Sequence, residues 1–202
     1  MGITEKRARH KEAFRREILD SARMIFIKRG YDGFSMRKLA EKIDYSPTTI
    51  YLYFKNKDDL LFAICEEFFE TFLTELNRIR SVSRDPLRTL RQAVLYLINF
   101  GLLNPDQYKL IFFTKSVYGT REELVEQETM ARNTYFVFME IVQECIAAGK
   151  LRKLEADVIA DTFAIASHGL VAKSIFCANS AKGKNEVVAL TLVDALLRGL
   201  RK

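Results

Sequence analysis

Apolar residues recur along this chain with the period of a helix. Phe14, Ile18, Ala22 and Ile25 fall on one stripe, with Leu19 and Phe26 beside it, the spacing of a helix that buries one face. Gly30 then stands where a C-cap belongs. After Tyr31-Asp32-Gly33-Phe34, Ser35 can cap a short second helix whose Met36, Leu39, Ala40 and Ile43 repeat the same template. Ser46 and Pro47 open a third, since proline at the first helical position gives up an N–H that has no partner anyway. It runs through Thr48, Thr49, Ile50, Tyr51, Leu52 and Tyr53 and stops near Phe54-Lys55-Asn56. Asn56 can cap a fourth helix from Lys57, with Asp58 and Asp59 in its first turn, where carboxylates suit the helix dipole.

The fourth helix is long, to about Arg80, with Leu61, Ile64, Phe68, Phe72 and Leu76 as its stripe. Asp85-Pro86 starts a fifth and Asn104-Pro105 a short sixth. Thr120-Arg121-Glu122-Glu123 reads as a capping box for a long seventh, closed by Gly149. An eighth runs from about Glu155 to Cys177, a polar loop covers Asn179 to Lys184, and a ninth ends the chain. Period-two alternation is absent, so the fold class is all-α with about nine helices. The expected division is a helix-turn-helix domain over 1–56 and a second helical domain over 57–202.

Charge changes the picture more than composition does. The chain has 202 residues and a formal net charge of +6. Met1 to Lys57 carries 14 Lys/Arg against 7 Asp/Glu, and the rest carries 18 against 19. The basic excess lies in the first quarter, which points to an anionic partner for that end. No apolar run reaches the ~18 residues of a membrane span, so no membrane partner is expected. Cys65, Cys145 and Cys177 are far apart among apolar residues, the pattern of buried reduced thiols in a cytoplasmic protein.

The third helix has an odd surface. Ile50 and Phe54, four apart, pack inward together and leave Thr48, Thr49 and Tyr53 on other faces. Short hydroxyl side chains at a helix start can enter a DNA major groove and meet base edges or a thymine methyl. Tyrosine hydroxyls and Lys57 suit phosphate oxygens, and the basic arm of Lys6, Arg7, Arg9 and Lys11 can add phosphate or minor-groove contacts. Helices two and three have the dimensions of a helix-turn-helix.

The stretch GYDGFSMRKLAEKIDYSPTTIYLYFKNKDDLL, Gly30 to Leu61, resembles the TetR family of bacterial transcriptional repressors. Gly-Tyr, Ser-x-Arg-x-Leu-Ala and Ser-x-x-Thr-Ile-Tyr-x-Tyr-Phe-x-x-Lys-x-x-Leu carry the likeness. The turn departs from it, with Asp44-Tyr45 in place of the usual Gly-Val; aspartate takes the left-handed conformation at modest cost. The resemblance implies that Thr49 approaches bases, with Ser46, Pro47 and Thr48 beside it. It gives Tyr51, Tyr53 and Lys57 to phosphates, and Arg37 to the backbone or a base of an operator duplex.

The remainder resembles the sensing half of the same family through Asp85 to Phe113 and SHGLV (Ser167 to Val171), similar to the subgroup with a Trp-His-Gly signature; Ser167 stands in the tryptophan position. The likeness implies a homodimer whose last two helices pair across the interface, with Phe163, Leu170, Leu192 and Leu196 on that face. It also implies a pocket for a small apolar or aromatic effector, drawn from Phe100, Tyr108, Phe112, Phe113, Phe136, Met139 and His168. By spacing alone most of those aromatics are simply core. Neither a cofactor nor a metal is expected, and no enzymatic motif stands out: there is no glycine-rich phosphate loop, no H-E-x-x-H and no G-x-S-x-G. The leading expectation is a ligand-released repressor. An effector-independent DNA-binding accessory protein and a helical carrier of apolar molecules stay open beside it.

Overall fold

The computed structural model describes residues 3–114, 117–177 and 182–202. Among them are ten α-helices and no strand: α1 (Ile3–Arg29), α2 (Met36–Lys42), α3 (Pro47–Tyr51), α4 (Lys57–Val82), α5 (Pro86–Leu103), α6 (Pro105–Phe112), α7 (Arg121–Glu126), α8 (Met130–Ala147), α9 (Ala156–Phe176) and α10 (Lys182–Leu200). The all-α expectation holds. The long seventh helix does not: it is two, because Thr129 starts a second one by accepting the Arg132 N–H at 3.1 Å. The Arg132 guanidinium donates back to the Val125 carbonyl at 2.7 Å and braces the break. The capping box before α7 forms as expected: the Glu123 carboxylate accepts the Thr120 N–H at 2.7 Å and Thr120 Oγ1 accepts the Glu123 N–H at 3.3 Å. Of the expected Asn179–Lys184 loop, residues 179–181 lie outside the described residues, and from Lys182 the chain is helical.

Two compact units make up the chain, one of residues 1–68 with 109–124 and the other of 69–108 with 125–202. The first is built on Phe14, Ile18, Leu19 and Phe26 of α1, Leu39 of α2, Ile50 of α3, and Leu60, Leu61 and Ile64 of α4. Glu67 accepts from Arg16 at 3.1 Å and Arg23 at 2.5 Å, which ties α1 to α4. In the second unit α5 packs against α8, α9 and α10. Gly101 is the reason α5 and α9 come so close: a Cβ there would lie 2.6 Å from Val171 Cγ1 and 2.7 Å from Tyr108 Cδ2. Arg91 clamps α10 through both oxygens of Asp194, at 2.6 and 3.1 Å.

One expectation needs correction. Cys65 and Cys145 are buried, and desolvation pushes both thiols up to about 12, but Cys177, the C-cap of α9, is exposed. Among the described helices, α9 is long and apolar enough by length and composition to cross a membrane. Its Ile159, Ala160, Phe163, Ser167 and Val171 are buried within its own unit.

Candidate nucleic-acid interface

Local chemistry sets the angle between α2 and α3. Ser35 Oγ accepts the Lys38 N–H at 3.2 Å and starts α2. The chain leaves α2 through Asp44 at φ 59°, and the Tyr45 N–H closes back on the Ala40 carbonyl at 3.1 Å, a Schellman-type ending. Aspartate therefore fills the left-handed position that glycine usually takes. Ser46 Oγ accepts the Thr49 N–H at 3.1 Å and lies 2.8 Å from Thr49 Oγ1, so the cap also fixes the threonine rotamer. At the far end Asn56 Oδ1 accepts the Asp59 N–H at 2.9 Å and opens α4.

The outcome is a short rod with two unlike faces. Ile50 is fully buried and Phe54 is 3% exposed. Ser46, Pro47, Thr48 and Tyr51 are exposed, and Thr49 is half-buried. Tyr51 is 52% and Leu52 78% exposed. Tyr53 turns the other way, its ring edge-on to Phe14 of α1 at 5.1 Å, while Tyr45 tilts over the same ring at 4.3 Å. Leu52 was not singled out from sequence, although it lies four residues after Thr48 on the outward face. Arg37 is exposed on α2 and paired with Glu41 at 3.2 Å. Lys57 is half-buried: its ammonium sits 3.9 Å from the centre of the Tyr31 ring and donates to the Tyr31 carbonyl at 3.4 Å. The Tyr31 hydroxyl donates to Asp58, whose carboxylate is the main reason its pKa is pushed up to about 12. The basic residues of the N-terminus extend as helix, since α1 begins at Ile3 and residues 4–13 are exposed.

The family model described as bacterial regulatory proteins, tetR family, matches residues 18–64, which span this helix-turn-helix. Over 212 aligned residues the chain is 26% identical to the HTH-type transcriptional repressor NicS of Pseudomonas putida, with 98% of each chain covered. Residues 18–64 are a tetR-family DNA-binding segment. It is also 39% identical over 99 residues to an HTH-type transcriptional repressor of Mycobacterium tuberculosis, an alignment covering 49% of this chain and 46% of that protein. With a Staphylococcus aureus regulator covered to 49%, the chain spans about half the length of these two relatives. Among solved structures it superposes on Bacillus subtilis FadR in complex with stearoyl-CoA with a TM-score of 0.74 and 16% identity, covering 92% of this chain and 98% of that one. A TetR/AcrR regulator of Thermobifida fusca gives 0.68 and 22%, covering 94% and 100%. These superpositions show the tetR fold.

Within the second unit, three of the expected pocket residues come together. The Tyr108 hydroxyl lies 2.6 Å from His168 Nδ1, and the Phe100 and Tyr108 ring centres are 6.3 Å apart. Burial pushes the Tyr108 hydroxyl up and His168 below its ordinary value of 6.5, which favours the neutral form of both partners. Phe136 is half-exposed under the Arg132 guanidinium, 4.9 Å from its ring centre, and Met139 is half-buried. Phe112 and Phe113 belong to the first unit, where Phe112 stands edge-on to Phe68 at 5.6 Å. Of the residues expected at a dimer face, Leu170, Leu192 and Leu196 are half-buried. Phe163 is 1% exposed and is enclosed by its own subunit's core; the apolar side chains facing outward on α9 are Val158, Ile165 and Phe176. Ser167, in the expected tryptophan position, is buried and donates to the Phe163 carbonyl at 2.7 Å. Among the described residues no group of three or more His, Cys, Asp or Glu could hold a metal ion.

Proposed function

We propose that this protein is a DNA-binding transcriptional repressor that acts as a homodimer in the cytoplasm and leaves a palindromic operator when a small apolar or aromatic effector binds. In this reading 1–56 contacts DNA and 57–202 senses and dimerises. The observation that carries it is the division of α3, with Ile50 and Phe54 inside and Thr48, Tyr51 and Leu52 outside. A helix start with free hydroxyls can enter a major groove, and the excess of Lys and Arg before residue 58 suits the phosphates on either side. Thr49 and Thr48 read bases, while Tyr51, Lys57 and Arg37 hold phosphates. Lys57 reaches them by leaving the Tyr31 ring, an exchange of one anionic or π partner for another.

Dimerisation is supported by Ile165 at 72% and Phe176 at 62% exposed on α9, and by Val187 at 63% and Val188 at 43% on α10. Apolar side chains concentrated on two helices are surface that a partner subunit removes from water. Sensing is supported by the Phe100, Tyr108 and His168 cluster, and by FadR, a protein of the same fold solved with stearoyl-CoA. Release requires the effector to bind the DNA-free state more tightly than the DNA-bound state.

The test is titration of purified protein onto the duplex upstream of its own coding sequence at several salt concentrations. Binding that weakens steeply with salt and exceeds binding to a scrambled duplex is the expected outcome. Equal affinity for both duplexes, or none, sinks the reading.

A further inference from the structure

We propose that the second unit carries a site for a small oligoanion, a molecule bearing several phosphate or carboxylate groups, in the cleft between the first turns of α5 and the last turn of α10. The cleft has a volume of about 450 Å³, within the range of small-molecule sites. Four guanidiniums line it, Arg88 and Arg91 from α5 and Arg198 and Arg201 from the end of α10, over the buried side chains of Leu87 and Leu197.

Two carboxylates share the cleft, and both have other work. Asp194 is held through both oxygens by Arg91, at 2.6 and 3.1 Å. Asp85 caps α5 by accepting the Leu87 N–H at 3.1 Å. Arg88, Arg198 and Arg201 pair with no carboxylate among the described residues, and Arg198 spends only its Nε, on the Asp194 carbonyl at 3.2 Å. Four cations thus share the cleft with two carboxylates, and the local balance stays positive.

The cleft is also built. Arg201 is tied down at the rim. It forms an isolated antiparallel bridge with Leu151, the Arg152 N–H donates to the Leu200 carbonyl at 2.8 Å, and Arg152 Nε donates to the Arg201 carbonyl at 3.2 Å. The pinned backbone holds Arg201 at the cleft that Arg88 also lines. Planar guanidiniums arranged around a gap match the bidentate geometry of phosphate and carboxylate. A molecule with two or more anionic groups can engage several of them at once.

The inference does not rest on DNA binding, and its test measures the anion alone. Inorganic pyrophosphate and citrate are titrated separately into the full-length protein by calorimetry, at constant ionic strength set with chloride. The same titrations are run on the R88A/R201A variant, which removes two exposed side chains. Saturable binding of at least one of the two anions, one per chain and weakened about tenfold or more in the variant, is the expected result. Which anion binds separates a phosphate site from a carboxylate site. Without added anion the variant melts with the wild type. No saturable heat with either anion overturns the proposal, and so does unchanged affinity in the variant, which places the anion on the basic N-terminal segment instead.

Discussion

Gly101→Ala tests whether the packing of α5 on α9 is as tight as the coordinates make it. The added methyl would sit 2.6 Å from Val171 Cγ1, 2.7 Å from Tyr108 Cδ2 and 2.9 Å from Tyr108 Cε2, whereas apolar carbons rest at about 3.5–4.0 Å. Roughly 1 Å must be found on two sides. Neither neighbour has room to give: Val171 and Tyr108 are both fully buried, and the Tyr108 hydroxyl is anchored on His168 at 2.6 Å. Overpacking of this kind costs about 1–3 kcal/mol. Alanine recovers about 0.8–1.0 kcal/mol as the better helix former. The net loss is then up to about 2 kcal/mol, which for a chain of this size lowers the melting midpoint by up to about 8 °C. Urea unfolding followed by circular dichroism should show a lower midpoint with an unchanged slope. Gly199→Ala, where a Cβ meets nothing within 4 Å, is the control and should melt at or above wild type. A Gly101→Ala protein as stable as that control would refute the reasoning, because the close approach would then be soft.

Three further outcomes follow from the site and its surroundings. Lys57→Ala should weaken DNA binding on matched and scrambled duplexes about equally and lower the salt slope by about one, whereas Thr49→Ala should change the preference between them; equal losses from Thr49→Ala would remove it from base reading. At the turn between α2 and α3, Asp44→Val should cost about 1–2 kcal/mol, because a β-branched side chain is strained at φ 59°, while Asp44→Gly should leave the melting midpoint level or higher. His168 is depressed by burial, so the unfolded chain binds its proton more readily; stability is present above about pH 6.5 and falls as pH drops through that value toward 5. His168→Gln should flatten that limb of a thermal-melt profile, and an identical slope in the variant would assign the loss to other groups.

What the sequence determined by itself was the punctuation and the inward face of each short helix. Caps act within about four residues, so Ser35, Ser46, Asn56 and the Thr120–Glu123 box were legible in advance, as was the left-handed turn at Asp44. Periodicity placed Ile50 and Phe54 inside and thereby left Thr48 and Thr49 on the outer side of α3. Tertiary structure decided whatever depended on a distant partner. Nothing local says that Tyr53 rather than Tyr51 meets Phe14, that Arg91 finds Asp194 103 residues away, or that Gly101 lies under Val171. Helix α9 shows the limit most plainly. Its apolar residues ring the whole circumference, so no stripe marks the side that faces α5, and Phe163 could be read outward until the packing turned it in. A one-sided pattern fixes a face because water penalises only the wrong one; where every side is apolar, the neighbours choose.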